Sequence, residues 1–485
     1  MPNFPRIPNV KIAPILILIC LFTGYTGYYI CRSNLSVTAP LILEEFNRST
    51  KVSDQDFFSS ATTRLSDDEF HNKNRKTSYS ERNLSNSNLS YSDPAKPFTK
   101  NDLGDLISFG ILCYALGKLL NGPLTEWLGG RATFLLGMFG AIASTIAFGL
   151  SYPMIAFFLF WGFNRFIQSM GWLGLIHVSA HWFSQKRHAL VLGILSMSYL
   201  LGDAFARWYL GKMIEFGFGW RDVFMIAAAS LAMIAFFNVI FLRQSPKAYG
   251  LPEVESDPEI SNENNESPST PETTRKKLYL QLFLRWDFIL ICGINSCLTF
   301  IRETFNDWNP IYLHEVVGMV PDQAARASAV FPFIGAFAAL FGGFLIDRLQ
   351  KGFALIMLPS LLILMGTLLT FAQVSFQSNP TIALLFLSLA SFALMIPYTF
   401  CAGALALKIG GKRAGATASG IIDTFGYLGS LPAGFLVARL IRGTDWSWVF
   451  YFLAFITAVA VVLTILFALK TRTFFDASTT IPETS

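Results

Sequence analysis

Two arginines carry the strongest chemical signal in this 485-residue chain. Arg32 lies in Tyr25-Thr26-Gly27-Tyr28-Tyr29-Ile30-Cys31-Arg32-Ser33-Asn34. Arg302 lies in Phe300-Ile301-Arg302-Glu303-Thr304-Phe305-Asn306-Asp307-Trp308-Asn309-Pro310. Each sits deep in an apolar run and eight residues before a proline, Pro40 or Pro310. A guanidinium is a planar fork of donors that fits two oxygens of a phosphate or a carboxylate. Placing it in a membrane helix costs at least about 2.5–3.5 kcal/mol, so its default reading is functional. The bland alternative is a structural ion pair with an acidic neighbour. Two such arginines in matching contexts, half a chain apart, read as one anion site built twice.

Other polar residues share these apolar runs. Tyr25 and Tyr29 stand four apart on one helix face, one to two turns from Arg32. They suit either a substrate-facing stripe or plain packing. Asp203 and Arg207 are also four apart and are expected to pair with each other, facing the bundle interior. Glu303 adjoins Arg302 and is expected to point to another face. Asp307 follows four residues later and is expected to neutralise the arginine when no substrate is bound. Asp423 is a further acid in an apolar run. A buried carboxylate can carry a proton, which is the physical basis of a proton-coupled alternative. His177 and His181 have zinc-ligand spacing but no accompanying glutamate motif, so they read as lining one end of a span. All six cysteines fall in apolar runs without a CxxC pair, which suggests neither metal nor disulfide. With no nucleophile or Gly-rich nucleotide loop either, the chain reads as a non-enzyme without cofactors.

Those residues must be positioned by membrane helices. The chain is 53% hydrophobic and only 14% charged, which excludes an ordinary soluble enzyme. The net charge of +5 is small and sits in loops, so no nucleic-acid partner is expected. Apolar runs long enough to cross a bilayer fall at roughly 12–39, 103–124, 132–150, 153–175, 189–211, 222–242, 286–312, 324–346, 353–373, 381–404, 414–437 and 446–469. The expectation is an all-α membrane protein of twelve transmembrane helices in two six-helix halves. The halves are 1–242 and 286–473, joined by a polar linker at 243–285, with a tail at 474–485. A long loop at about 41–102 separates the first two spans. The first apolar run is too long for a signal sequence and is read as a retained helix. Arg131, Lys186, Arg187, Lys412 and Arg413 fall in short loops on one side, which predicts that both termini and the linker are cytoplasmic and the loop at 41–102 is not. The surrounding membrane is expected to be a plasma (inner) membrane, and the protein a monomer.

The halves repeat in order. Gly122-Pro-Leu-Thr-Glu126 with Arg131 follows the second span, as Gly343-Phe-Leu-Ile-Asp347-Arg348 follows the eighth. Tyr199-Leu-Leu-Gly202 is echoed by Tyr427-Leu-Gly429, and Trp220-Arg-Asp-Val-Phe224 by Trp446-Ser-Trp-Val-Phe450. Such a duplication implies a site near the midplane between the halves, with access alternating as they rock.

With these loop motifs the chain resembles the major facilitator superfamily. Within it the chain is similar to the organophosphate:phosphate antiporters, which include glycerol-3-phosphate and hexose-phosphate transporters and the glucose-6-phosphate translocase. The matching residues are Tyr25, Tyr28, Tyr29, Arg32 and Asn34, then Tyr114 and Lys118, then Gly171-Trp172 and Trp182-Phe-Ser-Gln-Lys186. Arg302, Asp307, Trp308 and Pro310, and Phe425-Gly-Tyr-Leu-Gly429, match in the second half. The resemblance implies that Arg32 and Arg302 clamp a phosphate group, with Tyr25, Tyr29, Tyr114 and Lys118 around it. Ser33 stands where these antiporters usually carry a second basic residue, and Tyr199 where the glycerol phosphate carrier has a pocket histidine. Arg165 fits a fourth-span arginine motif common among proton-coupled members.

The function expected from these readings is secondary active transport of a small organic anion, a sugar phosphate or glycerol phosphate exchanged for inorganic phosphate. Two alternatives stand beside it. One is proton-coupled symport of a carboxylate or sugar acid. The other is a transporter-like membrane sensor of a hexose phosphate.

Overall fold

A backbone in hydrocarbon must satisfy its own hydrogen bonds, so an apolar chain of this kind folds as helices. The computed structural model describes residues 12–71, 98–252, 285–348, 353–374, 376, 379–441 and 443–476. Of the expected linker at 243–285, the loop at about 41–102 and the tail at 474–485, residues 253–284, 72–97 and 477–485 lie outside the described residues.

The helices are α1 (Ile12–His71), α2 (Lys100–Leu128), α3 (Gly130–Leu150), α4 (Met154–Trp182), α5 (Gln185–Glu215), α6 (Trp220–Phe241) and α7 (Trp286–Glu315). They continue as α8 (Pro321–Ser328), α9 (Val330–Arg348), α10 (Phe353–Gln373), α11 (Pro380–Thr399), α12 (Ala406–Gly429), α13 (Pro432–Leu440) and α14 (Ser447–Asp476). Among the described residues, 11 helical segments are long and apolar enough to cross a membrane, with α8–α9 and α12–α13 each counting as one. The helix that completes the twelve is α4, whose 29 residues reach roughly 43 Å. Asn164, Arg165, Gln168, His177 and His181 dilute its hydropathy.

Local sequence sets several boundaries. Thr99 caps α2, and its amide donates to the Asp102 carboxylate at 2.9 Å, a reciprocal capping box. One turn of π-helix, Phe400–Leu405, joins α11 to α12 three residues after Pro397. The first helix does not stop at the expected loop: its backbone stays helical to His71. No glycine or proline occurs between Pro40 and Pro94, so no breaker interrupts it there.

Within the first half, α4 packs on α2 and α3, and α1 on α5 and α6. In the second, α7 packs on α12 and α14, α9 on α11, and α10 on α14. Between halves α1 meets α7, α2 meets α12 and α13, and α5 meets α8 and α9. These meetings concentrate at the end remote from the chain termini. There Lys100 pairs with Glu315 at 2.8 Å, Arg439 with Asp105 at 2.9 Å, Arg326 with Glu215 at 2.8 Å, and His314 lies 3.2 Å from Glu44. Gly104 and Gly434 bring two backbones together: a methyl on Gly104 would sit 2.7 Å from the Gly434 carbonyl oxygen. On the terminus-side halves of the same elements, Gly122, Gly193, Gly343 and Gly420 have open space where a side chain would go. The halves are therefore shut at the remote end and splayed at the other.

Candidate functional site

Where α1 crosses α7, each helix holds a proline, Pro40 or Pro310. A proline has no N–H, so the carbonyl one turn earlier loses its helical partner. Pro310 releases the Asn306 carbonyl in this way. That oxygen accepts from Ser36 Oγ at 2.8 Å and from Arg207 Nη2 at 2.7 Å, both from the other half. Ser36 and Asn306 are 270 residues apart, the spacing that also relates Arg32 to Arg302 and Pro40 to Pro310. Equivalent positions of the two halves thus touch, and the two arginines stand one turn from that contact.

Arg32 and Arg302 line one cavity with Tyr29, Tyr199, Asp203 and Glu303. An adjoining cavity shares Tyr29, Arg32, Asp203 and Glu303 and adds Arg165, Arg207 and Asp307. The two arginines are held differently. The Arg32 guanidinium lies over the rings of Tyr114 at 4.4 Å and Tyr29 at 5.2 Å. Among the described residues no carboxylate comes within 4.0 Å of it. Arg302 lies 4.6 Å over the Tyr398 ring and donates to Glu303 Oε1 at 2.6 Å and to the Tyr427 hydroxyl at 3.1 Å. Adjacency in sequence therefore does not turn Glu303 away from Arg302: both side chains are long enough to fold back along the helix and meet. Glu303, not Asp307, neutralises Arg302. The second Glu303 oxygen lies 3.9 Å from Arg165 of α4, so Glu303 links the halves.

Lys118 pairs with Asp423 across the halves and lies 4.6 Å over the Tyr427 ring. Tyr427 in turn packs on Tyr114, ring centres 4.8 Å apart. Asp203 accepts from Arg207 at 3.0 Å and from Ser33 at 2.5 Å, so the serine at the position expected to be basic serves a carboxylate instead. Arg207 also reaches Ser328 at 3.4 Å. Asp307 is different: its Oδ2 is buried with no hydrogen-bond partner. Tyr25 packs behind this layer, on Trp172 at 5.4 Å and Tyr29 at 5.7 Å, and reaches neither cavity. Tyr199 lies beside Tyr29, with ring centres 6.4 Å apart and planes tilted by 36°. His177 and His181 stack on each other at 4.8 Å near the terminus-side end of α4, away from the cavities.

The sequence reading did not single out Tyr398 or Asn306, nor Tyr427 as a ring platform. Tyr427 had a signal, since it lies in a repeated motif beside Asp423. A tyrosine directly after Pro397 in an apolar run was a weaker one. The assembled chemistry is a tyrosine-walled cleft where five cations meet four carboxylates, suited to holding an anion and offering no metal cluster among the described residues.

Solved structures and known relatives agree with this architecture. A bacterial homolog of the human lysosomal transporter Spinster, in an inward-facing and occupied conformation, superposes with a TM-score of 0.65 at 15% identity, over 96% of this chain and 99% of that one. The "Probable hexose phosphate transport protein" of Chlamydia trachomatis is 28% identical over 388 residues, 76% of this chain and 82% of the relative. The "Glycerol-3-phosphate transporter" of Bacillus subtilis is 23% identical over 464 residues, 92% of this chain and 90% of the relative. Residues 21–434 match the Major Facilitator Superfamily, and this multi-pass integral membrane protein, a transporter by family and not an enzyme, belongs to it.

Proposed function

We propose that this protein carries a small phosphorylated organic anion, a sugar phosphate or glycerol phosphate, across a plasma membrane in exchange for inorganic phosphate. The observation that carries the reading is Arg32: a half-buried guanidinium, seated on two tyrosine rings in the shared cavity, without a carboxylate within 4.0 Å among the described residues. A cation kept at this cost and left unpaired is a seat for an arriving anion. Arg302 lines the same cavity from the other half, so an anion bound at Arg32 draws together the half that holds α1 and the half that holds α7. Lys118, Tyr29, Tyr114 and Tyr199 complete the seat, and Tyr25 holds Tyr29 from behind. The names of the two relatives support a phosphate ester as the cargo. Both termini lie in the cytoplasm by the distribution of Lys and Arg in the loops, so the splayed end faces inward. The carrier acts as a monomer, with one cleft per chain.

The test is uptake of labelled glucose 6-phosphate and glycerol 3-phosphate into proteoliposomes loaded with phosphate. Exchange is expected with internal phosphate and without a pH gradient. Arg32→Lys, which keeps the charge but loses the fork, is expected to remove nearly all of it while leaving folding intact. Near-normal exchange by Arg32→Lys sinks the seat. Ligand-induced thermal stabilisation without uptake points to a sensor, and accumulation that needs a pH gradient but no internal phosphate points to symport.

A further inference from the structure

The cleft is charge-counted for one negative charge, while a phosphate ester brings nearly two. Arg32, Lys118, Arg165, Arg207 and Arg302 stand against Asp203, Glu303, Asp307 and Asp423, which leaves a single net positive charge. The second ionisation of a phosphate monoester lies near pH 6, so at neutral pH it is largely a dianion. Binding the dianion to the fully ionised cleft would leave one uncompensated negative charge in a low-dielectric, tyrosine-walled space, which is costly. One additional proton restores neutrality.

The structure also says where that proton can go. Three of the four carboxylates are committed: Asp203 to Arg207 and Ser33, Glu303 to Arg302 and Arg165, Asp423 to Lys118. Protonating any of these breaks an ion pair. Asp307 has no ion pair within 4.0 Å among the described residues, and its Oδ2 is buried without a hydrogen-bond partner. The charged groups facing it are Arg165 from α4, Arg207 and Asp203 from α5, Arg32 from α1, and Glu303 one turn back on its own helix. Arg165 and Arg207 are already engaged by other carboxylates, and Arg32 is the seat of the anion. Once the anion occupies Arg32, the free carboxylate of Asp307 has a second anion as its near neighbour, and like charges at close range disfavour double ionisation.

We infer that Asp307 is a proton site coupled to the anion seat: it takes one proton from water as a phosphate dianion binds, and returns it as the anion leaves. No bond other than O–H is made or broken, and the loaded cleft is neutral. In exchange, each dianion crosses with its proton, so two-way traffic moves no net proton and needs no gradient. The inference rests on the phosphate-ester reading of the same cleft.

Calorimetry on the purified full-length protein tests it, with glucose 6-phosphate as the probe at pH 8, where the ester is a dianion. Titrations in two buffers of different ionisation enthalpy give the protons taken up per ligand. The expected result is close to one for the native protein, with affinity falling roughly tenfold from pH 7.5 to 8.5. In Asp307→Asn the ester is expected to bind with no proton uptake and with affinity level over that range. Asp307→Glu, which restores the carboxyl group, is expected to restore uptake. Glucose 6-sulfate, a monoanion, is expected to bind the native protein without taking up a proton. Ester binding with no proton uptake by the native protein overturns the proton site and leaves the phosphate seat standing. Uptake that survives in Asp307→Asn and disappears in Glu303→Gln overturns the assignment to Asp307. A folded protein that binds neither the ester nor inorganic phosphate defeats both readings.

Discussion

Neutralising Asp203 alone should damage the protein more than neutralising Asp203 and Arg207 together. The two side chains are 7% and 3% exposed, with 3.0 Å between Arg207 Nε and Asp203 Oδ1. Asp203→Asn strands a guanidinium in this interior, and Arg207→Met strands a carboxylate. Breaking a buried pair by removing one partner typically costs about 3–5 kcal/mol, because the remaining charge is left uncompensated. The double variant strands nothing. It loses the ion pair itself, the Arg207 hydrogen bonds to Asn306 and Ser328, and a weakened bond from Ser33. At about 0.5–1.5 kcal/mol for an ordinary hydrogen bond, the net loss should be roughly 1–3 kcal/mol. The two singles together lose about 6–10 kcal/mol, so the coupling should be about 3 kcal/mol or more, at the upper edge of what contacting residues show. The assay is unfolding in detergent, followed by reaction of the buried free thiols Cys20, Cys31, Cys292 and Cys401. A double variant that loses the sum of the two singles refutes the reasoning and makes the residues independent.

Two further predictions concern regions away from the cleft. The remote-end ion pair of Glu215 with Arg326 is partly exposed and worth about 0.2–1 kcal/mol; Glu215→Gln should therefore shift the halves towards opening there by up to about fivefold. A cysteine introduced at Ser108, which meets the Leu431 carbonyl across the halves at that end, reports this as faster labelling from that side, and an unchanged rate shows that apolar packing alone holds the end shut. Shortening the polar stretch 254–272, whose composition cannot bury a core, should leave thermal stabilisation by phosphate esters unchanged; loss of that stabilisation in a folded protein gives the linker a part in binding.

The helices and the duplication were legible because membrane burial writes long apolar runs, and because Arg32 and Arg302 sit at one fixed spacing from Pro40 and Pro310. The Asp203–Arg207 pair was legible because four residues is a local helical distance. Lys118 with Asp423, 305 residues away, carries no local signal: only the approach of α2 to α12 creates it. The Arg302–Glu303 contact was misread for the opposite reason. Helical phase places the two Cα–Cβ bonds about 100° apart, but side chains this long are steered by charge rather than by phase. The length of α1 was missed because polar composition was taken as loop, whereas a stretch without glycine or proline has nothing to stop a helix already under way.

The meeting of Ser36 with Asn306 has a mechanical meaning. Points related by the duplication can touch only near the axis that relates the halves, and this contact lies one turn from the anion seat. It is therefore a fulcrum, and a fulcrum moves least when the beams on it tilt. The carbonyl released by Pro310 can keep its partners through the whole swing, because neither Ser36 nor Arg207 has far to travel. Damage at such a point burdens both tilted states alike, lowering stability without favouring one side of the membrane. Damage at the rim, where Gly104 meets Gly434 and Glu215 meets Arg326, falls on one tilt only and biases access.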